Sequence, residues 1–135
     1  MKINLKNGQT YSHHFTFSQE EVIAFADVTG DKNPIHLDEA FAKNTIFKKP
    51  IIHGFLGGSI FSKVLGTLFP GTGTVYLTQT MSFLRPMYTG LDYSAVFTVK
   101  EIMLEKKRAL ITTEITDTEN NLTLTGEALI FNEDI

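Results

Sequence analysis

Apolar residues fall along this chain in two rhythms, and the change between them divides it. From Ser18 to Gly30 the spacing is helical, with Val22, Phe25 and Ala26 at three- and four-residue intervals. Ser18 stands three residues before Glu21, a capping-box spacing that predicts a helix start, and the helix should stop near Gly30. Asp31 to Pro34 reads as a turn, because the residue before a proline is pushed out of the helical region. Asp38 is placed to cap a short helix through Ala42. After the connector Lys48-Lys49-Pro50, a second helix is predicted from about Gly54 to Leu65. It is apolar almost all the way round, so it should be buried on most sides. Gly57, Gly58 and Ser59 would let another backbone approach it closely. Glycine in a helix costs about 1 kcal/mol against alanine, which argues that this approach is used.

The later half alternates instead. Tyr11 to Phe17 is a candidate edge strand near the start. Phe69-Pro70-Gly71-Thr72-Gly73 is a turn cluster, and strands follow at Thr74 to Leu84, Tyr93 to Met103, Arg108 to Thr116 and Leu122 to Phe131. In the third of these, Ala109, Ile111 and Thr113 alternate with Leu110, Thr112 and Glu114, and Glu119-Asn120-Asn121 is a hairpin turn signal. Helices early and strands together late predict an α+β fold, with an antiparallel sheet wrapped around the apolar helix. Nothing marks a linker, so residues 1–135 read as a single domain.

Composition narrows the function classes. A net charge of −3 leaves no basic footprint for nucleic acid. The absence of cysteine removes disulfides, thiolate nucleophiles and Cys-ligated metal together. The most apolar run, Ile51 to Leu65, contains His53, three glycines and two serines and falls short of the ~20 residues of a membrane span. The opening MKINLKNGQTYSHH has no apolar signal-peptide core. A soluble, cytoplasmic protein is expected, with no membrane partner.

The chemistry is concentrated in Thr29-Gly30-Asp31-Lys32-Asn33-Pro34-Ile35-His36. On one continuous helix, Asp31 and His36 would stand roughly 140° apart and share no face. A turn held by Pro34, with its fixed φ, could bring them together instead. A carboxylate beside an imidazole suits proton transfer and water positioning near neutral pH. Asp-x-Asn-Pro is also a common turn composition and a lone histidine is more often structural, so spacing alone leaves both readings open. A second piece is Ile52-His53-Gly54-Phe55. Gly54 lies where the apolar helix begins, and unsatisfied N–H groups there polarise a carbonyl oxygen. The plainer reading is that Gly54 permits a tight entry and His53 caps or packs. Asp31, His36 and His53 together would also suffice for a zinc site with an open position.

Gly-Asp-Lys-Asn-Pro-Ile-His, then His-Gly-Phe-Leu, then Ser82-Phe83-Leu84-Arg85-Pro86 resembles the MaoC-like family, the (R)-specific enoyl-CoA hydratases with the hydratase-2 motif. The likeness runs in order from about Phe15 to Phe131. It implies a hot-dog fold, an antiparallel sheet around a central helix, and a homodimer or higher homo-oligomer. It implies reversible hydration of trans-2-enoyl-CoA to (R)-3-hydroxyacyl-CoA without metal or organic cofactor. The alternatives are a 3-hydroxyacyl-ACP dehydratase, another MaoC-type hydratase, or a non-catalytic acyl-thioester-binding module. Carried over, Asp31 and His36 would bind and activate water, and Asn33 would help orient it or the pair. The Gly54 N–H would bond the thioester oxygen. Ser59 and Ser62 would at most support the catalytic loop. Ile52 stands where the family often has a small residue. Lys43, Lys48 and Lys49 would either meet CoA phosphates or form a solvated basic loop, and His13-His14 would lie on a strand surface.

Overall fold

The structure is a computed structural model and describes residues 2–135. Its sheet is antiparallel and built from β1 (Thr10–Phe15), β2 (Val75–Gln79), β3 (Ser82–Phe83), β4 (Tyr93–Met103), β5 (Arg108–Thr116) and β6 (Leu122–Phe131). The strands run in the order β1-β4-β5-β6-β2, and β3 pairs with β6 beyond β2. Thus β1 is an edge strand, as its position in the sequence predicted, and His13 and His14 stand opposite Ala95 and Ser94. The helices are α1 (Gln19–Thr29), α2 (Pro34–Leu37), α3 (Glu39–Lys43) and α4 (Gly54–Thr67).

Alternation is what places the core. In β4, Tyr93, Ala95, Phe97 and Val99 are buried, and in β5 the buried set is Ala109, Ile111, Thr113 and Ile115. These inward faces join Leu56, Ile60, Phe61, Val64 and Leu65 of α4 in one cluster. Phe61 and Phe97 meet edge to face, with ring centroids 5.8 Å apart, a geometry aromatic quadrupoles favour. The α+β arrangement of a sheet curved over one apolar helix is therefore the observed one.

Three expectations need correction. First, α4 is buried on one broad face and not all round: Phe55, Ser59, Ser62 and Lys63 are exposed. Its glycines admit side chains, not the backbone expected. A Cβ at Gly58 would stand 2.5 Å from the Met81 sulfur, and one at Gly57 would overlap the Met87 methyl. Second, α2 begins at Pro34, so the turn is shorter than predicted and Pro34 opens a helix. Its missing N–H costs nothing at that position. Third, the strand expected from Thr74 to Leu84 is broken at Thr80 and Met81. Thr80 N–H donates to the Glu127 carbonyl at 2.9 Å, and the Glu127 N–H donates to the Thr80 hydroxyl at 2.9 Å. A side chain thus replaces a main-chain acceptor in the ladder, which turns the strand and re-aims the segment after it.

Candidate active site

Each segment of the site is fixed by local chemistry. Ser18 and Glu21 form the capping box at the start of α1. Gly30 ends that helix in the left-handed conformation at φ 80°, its N–H bonded to Ala26 O at 2.8 Å. Glycine adopts this φ without the steric cost a Cβ would bring. Asp31 follows in the connecting loop, its N–H donating to the Thr29 hydroxyl at 3.2 Å. Asn33 caps α2 through its side-chain oxygen, which accepts from the Ile35 N–H at 3.2 Å. It is exposed and acts on the shape of the loop.

His36 sits on the single turn of α2 and is 8% exposed. Its Nδ1 is 2.7 Å from the Ile51 carbonyl oxygen. A carbonyl only accepts, so Nδ1 carries the proton and Nε2 is left as a bare acceptor in the neutral ring. The Ile51 N–H returns a bond to the Ile35 carbonyl at 3.1 Å, which clamps α2 against the segment leading into α4. Burial lowers the His36 pKa below 6.5. The Ile51 bond works against that, neighbouring His53 adds to the lowering, and Asp31 opposes it.

The fold brings the separated residues together. The side-chain ligand atoms of Asp31, His36 and His53 all lie within 4.8 Å of one another. His53 is buried and stacks on His36 with ring centroids 3.9 Å apart. Its Nε2 is 3.0 Å from the Asp31 carbonyl oxygen. Sequence reasoning gave His53 as a cap or packing residue, or as one ligand of a zinc site, and assigned it no part beside the Asp31–His36 pair. It occupies the N-cap position of α4 but makes no side-chain capping bond there. Its place after Ile52 and before Gly54, at the mouth of a buried helix, was the available signal.

All of this lines one end of a cavity of about 720 Å³. Asp31, His36, His53 and Gly54 meet an otherwise largely apolar wall that includes Phe83 and Met87. Gly54 is the first residue of α4, where N–H groups lack intrahelical acceptors. A Cβ there would stand 2.5 Å from the Phe83 ring. The Phe83-Leu84-Arg85-Pro86 segment, noticed only as a motif, lines the same cavity. Ser59 does not reach the Asp31 loop: it lies on the exposed side of α4 and its hydroxyl donates to the Leu56 carbonyl at 2.5 Å. Ile52 is buried and its N–H donates to the Met87 carbonyl at 2.8 Å. Lys43, Lys48 and Lys49 border a separate cavity of about 870 Å³.

Asp31, His36 and His53 are the residues that would hold a metal here, with one ligand atom each and all three within 4.8 Å of one another. One nitrogen of each histidine bonds a main-chain carbonyl and the other is left free, as in metal-ligating histidines. An apolar cavity ending in a carboxylate, an imidazole and a helix N-terminus suits a substrate with an apolar tail, a polarisable carbonyl and a bond that adds or loses water.

The MaoC like domain model matches residues 3–121. An (R)-specific enoyl-CoA hydratase from Aeromonas caviae is 41% identical over 127 residues, which cover 94% of this chain and 95% of that protein. A 3-hydroxybutyryl-CoA dehydratase from Methylorubrum extorquens is 41% identical over 115 residues, covering 84% of this chain and 71% of that protein. The solved structure of the (R)-hydratase from A. caviae involved in PHA biosynthesis superposes with a TM-score of 0.91. It is 41% identical and covers 95% of this chain and 97% of its own.

Proposed function

The chain belongs to the MaoC like domain family and has the hot-dog fold of its (R)-hydratase relatives, and from that premise we propose that Asp31 and His36 hydrate the double bond of an enoyl-CoA. It is a hydro-lyase of CoA thioesters, and in reverse it dehydrates a 3-hydroxyacyl-CoA. The observation that carries the assignment of the pair is the meeting of the Asp31 carboxylate and the His36 imidazole at one end of the cavity, within 4.8 Å. The Nε2 of His36 is free to face substrate because Ile51 holds Nδ1.

In this reading the acyl chain lies along the apolar wall. A water held between Asp31 and His36 attacks the β-carbon, and negative charge moves onto the thioester oxygen. The Gly54 N–H bonds that oxygen as the charge develops, a contribution that grows toward the transition state. The water gives one proton to the pair and the α-carbon takes one from it, so the pair ends as it began. Asn33 supports the arrangement by capping α2 and holding the loop between Asp31 and His36. The test is spectrophotometric. Crotonyl-CoA should lose its enoyl-thioester absorbance in proportion to added protein. Turnover of the corresponding acyl-carrier-protein thioester, with none of the CoA thioester, would favour the dehydratase alternative.

The pH profile follows from burial. General-base action needs a neutral imidazole, and the His36 pKa lies below 6.5. The neutral form therefore persists to lower pH than in a free histidine. Plotted against pH from about 5 to 8, kcat/KM should fall on the acid side only below 6.5. An acid limb above 6.5 would contradict this placement of His36.

The protein acts as a homodimer. Support comes from β2, a sheet edge whose Val75, Tyr76 and Leu77 are exposed, and from Phe55, Phe83 and Leu84 exposed near the cavity mouth. Open edge strands and exposed apolar side chains favour pairing. Sedimentation should give twice the 15.1 kDa chain mass, and Leu77→Lys should shift the equilibrium toward monomer. A fully active monomer would contradict it.

A further inference from the structure

His53 is joined to both members of the proposed pair yet takes no part in the proton transfers above. Its ring is 1% exposed and wedged between two aromatic faces, with His36 at 3.9 Å and Phe25 at 4.8 Å between centroids. Its Nε2 is 3.0 Å from the Asp31 carbonyl oxygen. Since that oxygen only accepts, Nε2 bears the proton and the neutral ring has a bare Nδ1. That Nδ1 is buried with no hydrogen-bond partner among the described residues. A buried acceptor left unpaired works against stability, so the ring is not retained as an ordinary core residue.

We infer that His53 is a positioning residue: its Nε2–H tethers the Asp31 main chain, and its ring is the plate against which the His36 imidazole is held. This rests on the proposed roles of Asp31 and His36. Residue 53 immediately precedes Gly54, so one short segment sets the carboxylate, the imidazole and the oxyanion N–H relative to one another. The unpaired Nδ1 follows from this arrangement. Any turn of the ring that carries Nε2 off the Asp31 carbonyl would release the tether. The groups that titrate beside His36 are Asp31, from the loop after α1, and His53, from the head of α4. Arg85 lines the same cavity.

Two measurements test this. Nitrogen-15 NMR of the histidine rings in the wild-type protein should find His53 protonated at Nε2 and His36 at Nδ1; a His53 protonated at Nδ1 would overturn the tether. His53→Phe keeps an aromatic plate and removes the donor. It should lower kcat about tenfold to a hundredfold while KM changes little, because displaced catalytic groups cost rate more than binding. His53→Gln, whose amide can donate to Asp31, should recover part of the lost kcat. A folded His53→Phe protein with wild-type kcat and KM would refute the positioning role. The NMR result stands without any variant and without activity. Wild-type hydration assayed on the same preparation shows separately whether the functional reading holds.

Discussion

Asp31→Asn and His36→Gln should each lower kcat for crotonyl-CoA hydration by at least about a hundredfold while leaving the fold intact, the usual weight of a general acid–base group. Asp31 is exposed and its side chain makes only a long 3.4 Å contact with the Asn33 N–H, so an amide there costs little stability. In His36→Gln the amide sits nearer the Nε2 position than Nδ1, so the side-chain bond to Ile51 is lost, but the main-chain bond from the Ile51 N–H to the Ile35 carbonyl still holds α2 against the entry to α4. Both side chains are proposed to touch the same water, so removing one leaves the other without its partner. The double variant should then be little slower than the poorer single one, because groups that act as a unit are strongly non-additive. Asn33→Ala should cost less, since the cap it removes shapes the loop and moves no proton. Steady-state kinetics of the four variants, with circular dichroism as the check on folding, give the comparison. Folded Asp31→Asn with near wild-type kcat would return the segment to a structural turn.

The second large effect is on stability. Gly126 of β6 lies directly beneath Thr80, and a Cβ there would overlap the Thr80 carbonyl oxygen and stand 2.7 Å from its carbon. Thr80 has no easy retreat, since its N–H and its hydroxyl are both bonded to Glu127. Gly126→Ala must therefore push β2 away or break those bonds. Overpacking costs about 1–3 kcal/mol and each lost hydrogen bond about 1 kcal/mol, so a loss of about 2–4 kcal/mol is expected. For a chain of this length that corresponds to a Tm lower by roughly 10 °C. The damage should reach function too, because the break at Thr80 re-aims the segment carrying Phe83, Leu84 and Arg85 along the cavity. A thermal melt of Gly126→Ala matching that of the wild type would show that the close approach carries no energy.

What the sequence revealed depended on whether the signal was local. The α1 capping box, the stop at Gly30 and the alternation in β4 and β5 are short-range patterns, and each is where it was expected. The meeting of Asp31 with His36 was legible only in part: Pro34 argues against a continuous helix through them, but spacing alone left a structural turn open as well. The break at Thr80 was not, since a threonine hydroxyl standing in for a ladder carbonyl depends on Glu127, 47 residues away. Periodicity misjudged α4 as well: it read as apolar almost all the way round, but Phe55 near its start is exposed. His53 was the hardest. Its stack on His36 and its bond to Asp31 join residues that only the clamp between Ile35 and Ile51 brings together.

The central claim is stereospecific hydration of an enoyl-CoA, and chiral analysis of the product from crotonyl-CoA tests it most directly. Wild-type protein should yield (R)-3-hydroxybutyryl-CoA, with its rate of formation at least about a hundredfold lower in Asp31→Asn. Mainly (S) product, or no hydration by the folded wild-type protein, would contradict the account.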